Sequence, residues 1–193
     1  MKNLEFNASM KLFGFSKKKK IKIQDLASVY SSTLHEVIQA GFREIIEFVN
    51  DNRKFEESPN LQKDDISWFL MIVFVANNFH LSNFFDDKIV DRLQHLSLNK
   101  LLEKISNDEE EDIIRDRFID YENFFKDQVS DDISIEKAMA KSIFIKYNLN
   151  DFQGKLLKNQ NEPNPVFLQE LTNLLSHFVW NWEDYLKKFK VVD

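Results

Sequence analysis

The sequence predicts an all-α fold: a single-domain bundle of six or seven helices behind a basic N-terminal arm. Three observations carry that prediction. In 193 residues there are only 3 Gly and 3 Pro. These are the strongest local breakers of regular structure, so the chain has little means of making the many tight turns of a β-sandwich or barrel. Nearly every long window repeats apolar residues at spacings of three and four, the period of a helix with one buried face. Hydrophobic residues make up 43% of the chain and charged residues 30%, which is globular usage with enough apolar material to fill a core.

The elements follow in order. Residues 1–23 form a separate basic arm, expected to be flexible, with Ile21 and Ile23 positioned to dock on the body; the helical domain covers 24–193. A first helix over about 24–52 carries the stripe Leu26, Tyr30, Leu34, Val37, Ile38, Phe42, Ile45, Ile46 and Val49. Gly41 interrupts its propensity at a cost of about 1 kcal/mol relative to Ala, which signals either a close helix approach or a kink beside a pocket. The second helix, about 64–79, is apolar nearly all round and belongs at the centre of the bundle. A third spans about 84–96, and a short one about 99–106. Asn107, with Glu110 three residues on, reads as the capping box of a fifth helix. The acidic run 108–112 would then complement its macrodipole. A sixth helix covers about 133–147, and a polar connection over 148–164 has room for one turn around Leu156 and Leu157. The last helix opens with Asn164 as cap and Pro165 in its first turn. Leu168, Leu171, Leu175, Phe178, Trp182, Tyr185 and Phe189 then alternate in steps of three and four. Flanking Leu174, Val179 and Leu186 widen that seam, which favours packing inside a bundle over a coiled coil.

Composition excludes several classes of function. There is no Cys, which removes disulfides, thiolate metal sites and cysteine nucleophiles together and leaves a cytoplasmic protein as the default. The longest apolar run, Trp68–Ala76, is far short of the roughly 20 residues a membrane span needs. Charge is unevenly distributed. Residues 1–23 hold seven lysines against the single acid Glu5, a net +6, while residues 24–193 carry −12, giving −6 overall. Such a body repels nucleic acid, whose binding rests on many Lys/Arg–phosphate contacts. The 19 phenylalanines reflect either coding bias toward AT-rich codons or an aromatic contact surface.

No motif commits to a chemistry. The four histidines His35, His80, His95 and His177 fall on separate elements, without the spacing of a zinc protease or of the repeated Glu-x-x-His of a di-iron bundle. No metal site or cofactor is implied. Asp86, Asp87 and Asp91 superficially echo the aspartate-rich metal motif of helical prenyl synthases, but no second acidic motif accompanies them. Gly14, Gly41 and Gly154 are too scattered for a phosphate loop.

The expected function is therefore a non-catalytic protein-binding module: an adaptor, a regulatory subunit or an inhibitor of a basic partner. Its candidate contact is Trp180, which on a continuous terminal helix shares a polar face with Asn173 and Lys187, opposite the seam. Such a ring is either covered by its own chain or offered to a partner. The alternative is a peripheral membrane protein. Phe13 and Phe15 beside Lys17, Lys18, Lys19 and Lys20 combine apolar rings with the positive charge that anionic lipid attracts. A helical metal-dependent enzyme ranks last.

Overall fold

In the computed structural model, residues 18–105, 110–130 and 132–193 are described. Eight α-helices occur among them: α1 (Ile23–Asn50), α2 (Ile66–His80), α3 (Asp87–Ile105), α4 (Glu111–Lys126), α5 (Ile135–Lys146), α6 (Lys155–Gln160), α7 (Pro165–Leu175) and α8 (Trp182–Lys188). Two short strands, β1 (Lys19–Lys22) and β2 (Phe189–Val192), make a parallel pair. The fold is all-α, as the sparse Gly and Pro and the helical periodicity require.

The core assembles around α2. Every residue from Phe69 to Asn78 is buried, as an all-round apolar helix must be if surrounded. It packs against α1, α4 and α5; α1 also lies along α3, and α5 along α7. Of the α1 stripe, Leu26, Tyr30, Leu34, Ile38, Phe42, Ile45 and Val49 are buried and Ile46 is half-buried against the core, whereas Val37 is exposed at the edge of the stripe. Asn164 caps α7 by accepting from the amides of Val166 and Phe167, with Pro165 in the first turn. The connection before it does hold one short helix, α6, and is tied down by buried Gln153. The Gln153 amide donates to Asn150 Oδ1 and the Glu162 carbonyl, and its oxygen accepts from the Asn164 amide at 2.7 Å.

Three expectations need correction. The third helix and its short successor are one helix, α3, because nothing near Leu98 breaks the run. The last element of the arm, Lys19–Lys22, is a strand that leads directly into α1 rather than a flexible tail, while Ile21 and Ile23 dock on the body as expected. Above all, the terminal helix is not continuous. After α7 the chain makes one 3-10 turn over Ser176–Phe178, runs extended through Val179, and restarts as α8. The heptad seam is real in sequence but is split in space. The Asn107 cap, together with Phe13, Phe15 and Lys17, lies outside the described residues.

The break has a specific cause. Asn77, on α2, is completely buried. Its Nδ2 donates to the carbonyls of Val73 and Phe178, both at 2.8 Å, and its Oδ1 accepts from the Trp180 amide at 2.7 Å. These bonds satisfy backbone groups of residues 178 and 180 that a helix would otherwise pair internally. Asn181 then caps α8 by accepting from the Asp184 amide at 2.9 Å.

Gly41 resolves as a close approach. A Cβ placed there would lie 2.5 Å from both Cε1 and Cζ of Phe178. Phe178 is buried and makes an edge contact with Phe69 at 5.1 Å, so its ring has nowhere to swing. Gly41→Ala should therefore lower stability by about 1 to 2 kcal/mol in urea unfolding, the overpacking cost exceeding the roughly 1 kcal/mol of helix propensity gained; an increase in stability would contradict this packing. Asn77→Ala leaves the Phe178 carbonyl and the Trp180 amide without their partner, and the same measurement should show a loss of about 2 to 4 kcal/mol.

Candidate functional site

The two-stranded sheet brings together lysines 170 positions apart in sequence, Lys20 and Lys190. In β1, Lys-Lys-Ile-Lys, the apolar Ile21 lies between two lysines, and in β2, Phe-Lys-Val-Val, Lys190 lies between two apolar residues. Register pairs Lys19 with Phe189, Lys20 with Lys190, Ile21 with Val191 and Lys22 with Val192. Ile21 and Val191 pack against the core. Side chains alternate across a strand, so Lys20, Lys22 and Lys190 share the opposite, exposed face.

β2 is anchored from beneath by aromatic rings. Phe189 stacks on Tyr185 at 4.7 Å, and Tyr185 meets Trp180 at 5.6 Å and Trp182 at 5.9 Å. Trp182 in turn contacts Tyr30 of α1 at 5.2 Å and Phe85 at 5.1 Å. This cluster fixes the direction of α8 and hence the register of β2 on β1.

Lys20 and Lys190 stand side by side in register. Lys18, Lys19, Lys20, Lys22 and Lys190 make no ion pair with any described residue. Two acids close in sequence to β2 are engaged elsewhere. Asp193 pairs with Arg92 at 2.7 Å, and Asp184 pairs with Lys187 at 2.7 Å. That contact with the Lys187 ammonium holds the Asp184 carboxyl below its ordinary range and raises Lys187 above its own. An exposed edge strand carries lysine to deter pairing with other chains. That accounts for lysine on each strand. It does not account for Lys20 and Lys190 side by side in register, since like charges directly opposite each other are destabilising.

The other residues singled out from sequence are dispersed. Asn173 sits on α7, where its side chain accepts from Gln169 at 2.9 Å, and Lys187 sits on α8. Trp180 lies in the extended link between them, half-buried against Tyr30, Trp182 and Tyr185. The helical face that was to unite the three does not form. No described phenylalanine is among the exposed large hydrophobics; the exposed ring is Trp68. Asp86 caps α3 by accepting from the Ile89 amide at 3.0 Å. It lines a cleft of about 400 Å³ with Lys88 and Arg92, but Asp87 and Asp91 do not. His80 makes an edge contact with Phe84 at 5.0 Å, and burial lowers its basicity. Among the described residues no three His, Asp or Glu side chains gather as a metal site, and no helix is long and apolar enough to cross a membrane.

Two of the three lysines on this face, Lys20 and Lys22, belong to the basic arm legible in the sequence. The third, Lys190, was hidden because Phe189 reads as the end of a helical seam. The Asn181–Asp184 spacing, a cap followed three residues later by an acid, was the signal that a helix begins anew there. The chain matches no family profile, and neither a curated protein nor a solved structure is significantly similar to it.

Replacing one lysine of the register pair should relieve the repulsion. Lys190→Glu is expected to raise unfolding stability by a few tenths to about 1 kcal/mol at low salt, with the gain shrinking as salt screens the pair. Urea titrations at two ionic strengths check this, and a loss of stability would show that Lys190 does not oppose Lys20.

Proposed function

We propose that this chain is a non-catalytic module that attaches reversibly to anionic membrane surfaces through the lysine face of its sheet. The single observation behind the proposal is the in-register pairing of Lys20 with Lys190, neither in an ion pair with any described residue, in a chain whose net charge is −6. A fold that sets positive charges side by side on its surface gains from an anion that bridges them. Lysine's compact, mobile ammonium suits a diffuse field of lipid phosphates, whereas bidentate phosphate recognition favours arginine; the face is built from lysine.

Membrane charge fits better than nucleic acid. A planar anionic surface needs to meet only one side of the molecule, so the acidic body can point away from it. A duplex tracked over its length would meet the acidic body. The polybasic sequence continues at Lys17, with Phe13 and Phe15 a few positions before it. Such aromatics beside basic residues add an apolar component to electrostatic binding. Each lysine near an anionic surface contributes about 1 kcal/mol, so this face supports attachment that salt reverses.

Co-sedimentation of the full chain with phosphatidylcholine vesicles, with and without phosphatidylglycerol, tests the proposal. The unmodified chain should pellet only when phosphatidylglycerol is present, and high salt should release it. A Lys20→Glu/Lys190→Glu double variant, still folded by circular dichroism, should bind at least about thirtyfold more weakly. Failure of the unmodified chain to sediment, or undiminished sedimentation of the double variant, would overturn it.

A further inference from the structure

At the opposite end of the chemistry from the lysine face, one lysine lies half-buried against aromatic rings. Lys146, the last residue of α5, places its Nζ 4.0 Å from the ring centre of Phe124, 4.6 Å from Trp68 and 5.5 Å from Tyr121. The three rings form a contiguous wall. Tyr121 lies 6.3 Å from Trp68 and 5.4 Å from Phe124, centre to centre. Two elements build the wall, with Trp68 from the first turn of α2 and Tyr121 and Phe124 one helical turn apart on α4. The third element, α5, supplies only the cation. The box is open to solvent on the Trp68 side, where that ring is 38% exposed, while Tyr121 at 2% closes the floor.

The resident is a poor match for its box in one respect. A primary ammonium carries three N–H donors and is strongly hydrated. Lys146 makes no hydrogen bond or ion pair with any described residue, and burial lowers its basicity. Its position at a helix C-terminus is favourable for a cation, but none of the three side chains accepts a hydrogen bond from it. A quaternary ammonium has no N–H to leave unpaired and gives up little hydration, and it gains the same attraction to the ring faces.

We infer that Trp68, Tyr121 and Phe124 form a receptor cage for a quaternary ammonium group, and that Lys146 occupies the cage until such a ligand displaces it. The ligand chemistry is a trimethylammonium, carried either by a choline headgroup or by a trimethylated lysine. This site is independent of the lysine face and does not rest on the membrane proposal.

The experiment follows the Trp68 indole resonance by NMR during titration with tetramethylammonium chloride, against sodium chloride at equal ionic strength. The full unmodified chain should show a saturable shift. Lys146→Ala removes the competing resident and should bind about tenfold more tightly. Phe124→Leu, which keeps an apolar side chain on α4, should lose the saturable shift while remaining folded. Phosphocholine and N-acetyl-trimethyl-lysine amide then distinguish the sources, and tighter binding of one assigns the ligand to lipid or to modified protein. No saturation in the Lys146→Ala chain would overturn the inference. So would an equal response to unmethylated lysine amide, or a response that survives Phe124→Leu.

Discussion

One buried amide determines how this chain ends its fold. Asn77 sits in the most apolar helix of the molecule, where an unpaired polar group costs several kcal/mol. Its three hydrogen bonds, to Val73, Phe178 and Trp180, leave neither end of the amide unsatisfied. In meeting its own requirement it takes up the backbone of residues 178–180, and a helix cannot continue through a backbone already bonded elsewhere. Everything after Val179 changes direction as a result. The chain restarts at Asn181, turns its aromatic side chains onto Tyr30 and Phe85, and emerges as β2 beside β1. Phe178, held by the same amide, presses on α1 at the one position, Gly41, that has no side chain to obstruct it.

That chain of causes explains which parts of the fold were legible in sequence. The helices whose identity rests on periodicity and caps were readable, because a buried stripe and an Asn-Pro start act locally. The all-round apolar α2 was readable as the centre for the same reason. The break at 176–181 left only the Asn181–Asp184 cap spacing as a local trace, because the residue that causes it lies a hundred positions away. Nothing in Ser-His-Phe-Val-Trp-Asn is a strong breaker, and the heptad spacing persists across the gap. Long-range satisfaction of one amide overrode a consistent local pattern.

The same limit applies to the candidate sites. Lys17–Lys20 is a plain run in the sequence, but its meaning changes once Lys190 stands opposite Lys20. The aromatic box around Lys146 draws on positions 68, 121, 124 and 146, a set no spacing rule connects. Conversely, Trp180 drew notice only because a continuous helix would have stranded it on a polar face. With the helix broken, it is one ring in an internal aromatic cluster. The two proposed sites therefore both use cations in unusual company. In one, like charges are set together at the surface. In the other, a single charge is set against rings that offer it no hydrogen bond.

The most direct test of this account measures whether Asn77 holds residues 20 and 190 together. The chain has no cysteine of its own, so Lys20→Cys/Lys190→Cys can carry a nitroxide on each strand without interference. Neighbouring strands lie about 5 Å apart, and the account predicts strong dipolar broadening of the paired labels. It also predicts that the broadening is lost when Asn77 is replaced by Ala, with the helical circular dichroism largely retained. Absence of broadening in the first chain, or equal broadening in both, would contradict it.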